Sequence, residues 1–167
     1  MSRVAICLML TVASCSPGAT APAVGQPEVV CIDPVCIAYP GGWEVRDQGP
    51  DFVSFAHPAS EHALATVGPV NMKALVESAG RPWPASTEDA VESLWELLGA
   101  SGAASLERIE RLTGGAFRSS GSHQDGRLWH LLITGTGTAA VGVEVRGPNR
   151  SWEAHADVFF AGVDVLE

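Results

Sequence analysis

A single segment with helical periodicity, residues 86–99, separates two groups of short alternating runs, and this order constrains the fold more than any other feature of the chain. In that segment Val91, Leu94, Trp95 and Leu98 fall on one face at i, i+3, i+4 and i+7. Its ends are marked. Ser86 with Asp89 makes a capping-box-like start, Glu88 and Asp89 suit the positive end of the helix dipole, and Gly99 is the expected stop. Ahead of it, residues 37–39, 43–46, 52–57 and 63–71 predict strands, punctuated by Pro40-Gly41-Gly42 and Gln48-Gly49-Pro50. Residues 73–78 predict a short helical turn ended by Gly80. Behind it, residues 106–112, 116–120, 128–134 and 139–146 predict a second strand group, with Asp125-Gly126 as a hairpin signal. Residues 151–166 read as a second amphipathic helix, started by Ser151 and presenting Trp152, Ala156, Phe159, Phe160 and Val163. Strands, helix, strands, helix predict an α+β fold in which helices pack on an antiparallel sheet.

The N-terminus points to export. Arg3 precedes an apolar run, residues 4–12, which is far shorter than the roughly 20 residues that span a bilayer. It has the length of a signal-peptide core, and Val12-Ala13-Ser14-Cys15 resembles a lipobox. The expectation is a signal peptide over residues 1–14, acylation (palmitate-type) of Cys15, and anchoring to the extracytoplasmic side of the cell membrane. An ordinary secretory signal, cut after Ala19-Thr20-Ala21 or Ala21-Pro22-Ala23, is one alternative. A cytosolic protein with a buried apolar strand is the other. Residues 15–28 carry small residues and proline without aromatics, and predict a flexible tether ahead of one globular domain over residues 29–167.

Charge narrows the partners. The formal net charge is −9 and Lys73 is the sole lysine, so the positive footprint needed to neutralise nucleic-acid phosphates is missing. Acidic domains are also repelled by anionic headgroups, which leaves membrane attachment to the lipid. Apolar residues at 46% against 17% charged residues place the chain among globular proteins. Of four cysteines, Cys7 falls in the leader and Cys15 is the acylation site. Cys31 and Cys36 remain, an even pair in an oxidising compartment, and a disulfide across a tight turn at Asp33-Pro34 is expected. Free thiols, or a redox or metal site, are the alternatives, although the spacing is C-x4-C and no second cysteine pair exists.

The Ile-Ala-Tyr-Pro-Gly-Gly-Trp run at residues 37–43 resembles the "YP.GW" opening of PsbP-like domains. So do the later landmarks: the central helix, a Gly114-Gly115 turn, the strand with Arg127-Leu128-Trp129-His130, and a last helix beginning at Trp152. The resemblance implies a PsbP-like α/β/α sandwich, as in actinobacterial LpqN-type lipoproteins. It also implies binding and accessory roles, with no shared catalytic residues to carry over. Fold alone does not set function.

No candidate chemistry assembles from spacing. His57, Glu61 and His62 lack the one-face spacing of a zinc-peptidase helix, and a solvated turn is expected there. Ser119, Ser120, Ser122 and His123 lack a nucleophile elbow and read as a polar hairpin loop. Gly135-Thr136-Gly137 opens no helix, and so reads as a turn and not a phosphate cradle. Trp95, Trp129 and Trp152 are expected in the core, whereas Trp83, held between Pro82 and Pro84, is a candidate partner contact. The expected function is a non-catalytic binding or accessory domain that contacts an envelope protein, without cofactor or metal. A carrier or sensor of a small apolar ligand, with a cleft between sheet and helix, is the alternative. A hydrolase using His57, His62 or His123 stands third.

Overall fold

Antiparallel pairing accounts for every ladder among the described residues of the structure, a computed structural model that describes residues 20–33, 35–135 and 140–165. The expected signal peptide (residues 1–14) with Cys7, the expected acylation site Cys15, Pro34 of the expected Asp33-Pro34 turn, and the Thr136-Gly137 part of the other expected turn lie outside the described residues. In chain order the elements are β1 (Gly25–Ile32), β2 (Val35–Gly41), β3 (Glu44–Gln48), β4 (Val53–His57), β5 (Ser60–Val70), α1 (Met72–Ser78) and α2 (Thr87–Ala100). There follow β6 (Ser105–Arg111), β7 (Phe117–Ser122), β8 (Leu128–Thr134), β9 (Ala140–Gly147), α3 (Glu153–Ala161) and β10 (Val163–Val165). One sheet runs β3-β4-β5-β9-β8-β7-β6, and a smaller one runs β1-β2-β10.

Alternation along the strands divides the core in two. Leu132 of β8 joins Val35, Ile37, Tyr39, Phe55, Val143 and Phe159, which bind the small sheet and α3 to one face of the large sheet. Its neighbours Leu131 and Ile133 point the other way, into a second core with Met72, Val76, Val91 and Trp95 of α1 and α2. The period of two in a strand is what serves both layers from one ladder. The result is helices on both faces of an antiparallel sheet, the α+β sandwich expected.

All eight predicted strands are present, and differences fall at the ends of elements. The Ser86 capping box forms: Ser86 Oγ accepts from the Asp89 N–H, and the Asp89 carboxylate accepts from the Ser86 N–H. Gly99 does not stop α2, which continues to Ala100. The chain turns at Gly102, whose φ of +69° suits glycine. The predicted helix over 151–166 is corrected to a 3₁₀ turn at Arg150–Trp152, then α3, then β10. Asn149, not Ser151, caps that turn, accepting from the Ser151 N–H at 2.9 Å. Val163 and Asp164 leave the helix because β2 offers them an open ladder.

β1 begins at Gly25, inside the stretch expected to be a tether. Ahead of it, the Ala21 N–H donates to Ser151 Oγ at 2.8 Å, and Ala21 packs on the first core. β1 and β2 are joined by the Cys31–Cys36 disulfide, whose residues face each other in the ladder with Cα atoms 4.0 Å apart. So short a loop adds only about 2 kcal/mol through the unfolded state.

Candidate functional site

The PG-Gly42-Trp43 corner between β2 and β3 brings Trp43 into the first core, where it is 3% exposed. There it meets the edge of Trp152 at 6.1 Å, Phe159 at 5.0 Å, and His57 at 5.7 Å between ring centroids. Its indole Nε1–H donates to His155 Nδ1 at 3.0 Å. An indole nitrogen can only donate, so Nδ1 of His155 is an acceptor and Nε2 carries the hydrogen. That hydrogen is directed at the carbonyl of Pro22, 3.0 Å away. A single buried imidazole thus ties the β2–β3 corner, α3 and the N-terminal segment together. His57 has the same tautomer, because its Nδ1 accepts from the Ala59 N–H at 3.1 Å. Gly42, at φ +94°, leaves room for the opposite edge of that ring: a Cβ there would stand 3.3 Å from His57 Nε2.

The histidine triplet of the sequence is taken apart by the strands. His57 ends β4 with its ring buried, whereas Glu61 and His62 lie exposed in β5, 3.7 Å apart. A solvated turn is therefore the wrong description for His57 and His62. Among the described residues no group of three or more His, Cys, Asp or Glu is placed to hold a metal.

The serines are not in a hairpin loop either. Ser119, Ser120 and Ser122 belong to β7 and only His123 lies in the turn. Ser119 Oγ is buried and accepts the Trp95 Nε1–H at 2.8 Å. Ser122 Oγ donates to Glu107, and His123 faces Asp125 at 2.9 Å. Ser119, Ser122 and His123 are thus each engaged in a structural contact, and none of these contacts pairs a serine with a histidine.

Trp83 is half-buried against the second core and is followed by a cis Trp83–Pro84 bond. Arg81 pins this loop to α2 through Glu92 at 2.9 Å and Glu96 at 2.5 Å. Trp95 and Trp152 are buried as expected, and Trp129 is half-buried beneath the Arg146 guanidinium, 4.2 Å from its centroid.

A groove of about 520 Å³ lies beside α1. Gly68 and Gly142, directly opposed in β5 and β9, let Phe52 and Val70 lie close over the sheet, and Phe52, Ala74, Leu75, Leu94 and Leu131 supply apolar walls. Glu144 and Asn71 add polar groups at the lining. Its size and lining are those of small-molecule sites.

The solution structure of cyanobacterial PsbP (CyanoP) from Synechocystis sp. PCC 6803 superposes with a TM-score of 0.53 at 16% identity, covering 89% of this chain and 96% of that one. The fold is PsbP-like. A crystal structure from Bacteroides thetaiotaomicron VPI-5482 also matches, with a TM-score of 0.42 at 16% identity over 87% of this chain. The chain spans 50% of that protein's length. No family model and no curated protein matches the sequence. Identity of this order carries over the PsbP-like architecture and no residue roles.

Two histidines predict acid sensitivity. Burial holds the His130 imidazole below its ordinary pKa. Arg118 and Arg150 act the same way, and Glu153 and Asp157 oppose it. His57 is lowered by burial and by His155, with Glu44 opposing. A histidine lowered in the folded state contributes fully above its unfolded value of about 6.5, and that contribution is lost as pH falls toward the folded value. Urea midpoints are therefore expected to hold from pH 8 to 7 and to fall between pH 6.5 and 5, before the carboxylates titrate. His130→Met should shrink that fall, and an unchanged pH profile in this variant would remove His130 as its cause.

Proposed function

We propose that the chain is an exported lipoprotein, acylated at Cys15, whose PsbP-like domain serves as a non-catalytic binding or accessory module in the cell envelope. The observation that carries this reading is the order along the chain: a short apolar run ending in Val12-Ala13-Ser14-Cys15, followed closely by a PsbP-like domain. Further support comes from Ser119, Ser122, His57 and His123, which are engaged in structural hydrogen bonds or ion pairs. Among the described residues no helix is long and apolar enough to cross a membrane. Attachment through acyl chains is the reading, since each buried methylene contributes about 0.8 kcal/mol and two or more chains hold firmly. The half-exposed side of Trp83, on a loop tied down by Arg81, is the contact we assign to an envelope partner.

A second reading is favoured by the groove beside α1: a carrier or sensor of a small apolar ligand. One experiment separates the two. Crosslinking in intact producing cells, with detergent pull-down and mass spectrometry, is expected to recover one envelope protein with the wild-type chain and to lose it with Trp83→Ala. Recovery of an apolar small molecule without a recurrent protein would instead establish the carrier. The anchor is read on the same samples. Cys15→Ser should lose the acyl mass and leave the membrane fraction, and retention with unchanged mass would end the lipoprotein reading.

A further inference from the structure

A second, smaller cavity, of about 270 Å³, lies on the open part of the sheet face that α1 and α2 leave uncovered. Its lining is unusual for so acidic a chain. His62 of β5, His123 and Arg127 of the β7–β8 turn, and Arg146 of β9 all contribute, and no carboxylate lines it. Trp129, Leu64 and Leu128 provide the apolar remainder. Both arginines are held from outside the lining: Arg127 Nε donates to Asp125 at 2.7 Å, and Arg146 Nε donates to Glu144. These bonds use the Nε side of each guanidinium and leave the terminal nitrogens for a ligand. Stacking on Trp129 further holds the plane of Arg146. Basic side chains from three separate elements line one cavity, and the guanidinium fork matches the oxygens of a phosphate group.

The cavity also sits at a particular end of the sheet. Leu128 pairs with Gly147 at the end of β9, and only a short run of chain then leads to Ser151, which holds Ala21. Cys15 is six residues before Ala21. A fully extended chain of that length reaches roughly 20 Å, so an anchor at Cys15 would keep this end of the domain close to the bilayer surface.

We propose that this cavity binds a phosphate group, with Arg127 and Arg146 as its principal donors and His62 and His123 at its rim. The choice of a phospholipid headgroup as the source, over a soluble phosphate, rests on the anchored reading above. The chemistry of the cavity does not.

The test uses the full unlipidated Cys15→Ser chain, so that binding is measured without the anchor. Failure of the anchor itself shows separately, in the acyl mass and membrane fraction of the wild type. Flotation with phosphatidylglycerol/phosphatidylcholine vesicles (roughly 3:7) is compared with pure phosphatidylcholine, and inorganic phosphate is titrated against the Trp129 indole N–H resonance. Arg127→Gln and Arg146→Gln are each expected to weaken binding about tenfold, the size of a lost charge-assisted hydrogen bond. Lys73→Gln makes the same change in net charge far from the cavity and is expected to leave binding unchanged. Thermal midpoints of all three variants check that each is folded. Flotation with phosphatidylglycerol that is lost in the arginine variants alone supports a headgroup. A shift of the Trp129 signal by phosphate, again lost in those variants but without flotation, supports the site with a soluble phosphate as its ligand. No response to either probe overturns the proposal, as does an equal loss in Lys73→Gln.

Discussion

Trp43→Ala is expected to destabilise the protein by about 3–5 kcal/mol, the range for removing a large aromatic side chain from a packed core. The ring is nearly inaccessible and is packed by Trp152, Phe159, His57 and His155, so collapse around the missing volume would have to move β4 and α3 together. The substitution also strips His155 Nδ1 of its donor in a buried site. Trp43→Phe isolates that second effect. It keeps most of the aromatic volume and leaves the acceptor unmatched, for about 1–3 kcal/mol. Set against typical stabilities of about 5–15 kcal/mol, that cost removes a large share of the margin of the folded state. Urea unfolding followed by far-UV circular dichroism would measure both. A cost below about 1 kcal/mol for Trp43→Ala would contradict the packing described.

Gly121→Ala is the second large effect and has the opposite physical origin. Gly121 sits in β7 beneath Trp95, whose N–H is bonded two residues earlier to Ser119. A Cβ at Gly121 would stand 2.2 Å from the Ser105 carbonyl oxygen and 2.5 Å from Trp95 Cζ3. The ring could be displaced, but the backbone oxygen of the neighbouring strand cannot move without opening the β6–β7 ladder. The expected cost is about 3 kcal/mol, at the upper end of ordinary overpacking. The near-UV dichroism of Trp95 should change with it. Gly80→Ala and Gly114→Ala, at positive φ in open space, are useful contrasts because they test backbone conformation without a collision.

What could be read along the chain was whatever depends on neighbours in sequence. The α2 start follows from Ser86 and Asp89, which bond each other across three residues, and the strand runs follow from alternation within each segment. His155 also carried a local signal. It stands between Trp152 and Phe159 at helical spacing on an apolar face, where an imidazole must find partners. His130, buried in a strand with neither ring nitrogen bonded to protein, had no comparable signal.

The misread elements share one property: each is defined by a distant partner. Residues 25–28 look like the end of a tether because the stretch carries small residues and proline and no aromatics, yet Gly25 and Glu28 are ordered by Gly41 and Tyr39 across the β1–β2 ladder. Val163 and Asp164 have a helical history and a strand's fate because β2 lies alongside. The serines of residues 119–122 look like a polar loop but form a strand, with Trp95 bonded to one of them and packed against Gly121. Residue type, charge and the order of periods were legible from the chain alone, since each is set by covalent neighbours or bulk solvation. The Trp43–His155–Pro22 chain of bonds, the pairing of Gly68 with Gly142 at the groove and the placing of Arg127 and Arg146 on one cavity were not. They join residues far apart in sequence, and only closure of the sheet brings those residues within hydrogen-bonding or van der Waals range.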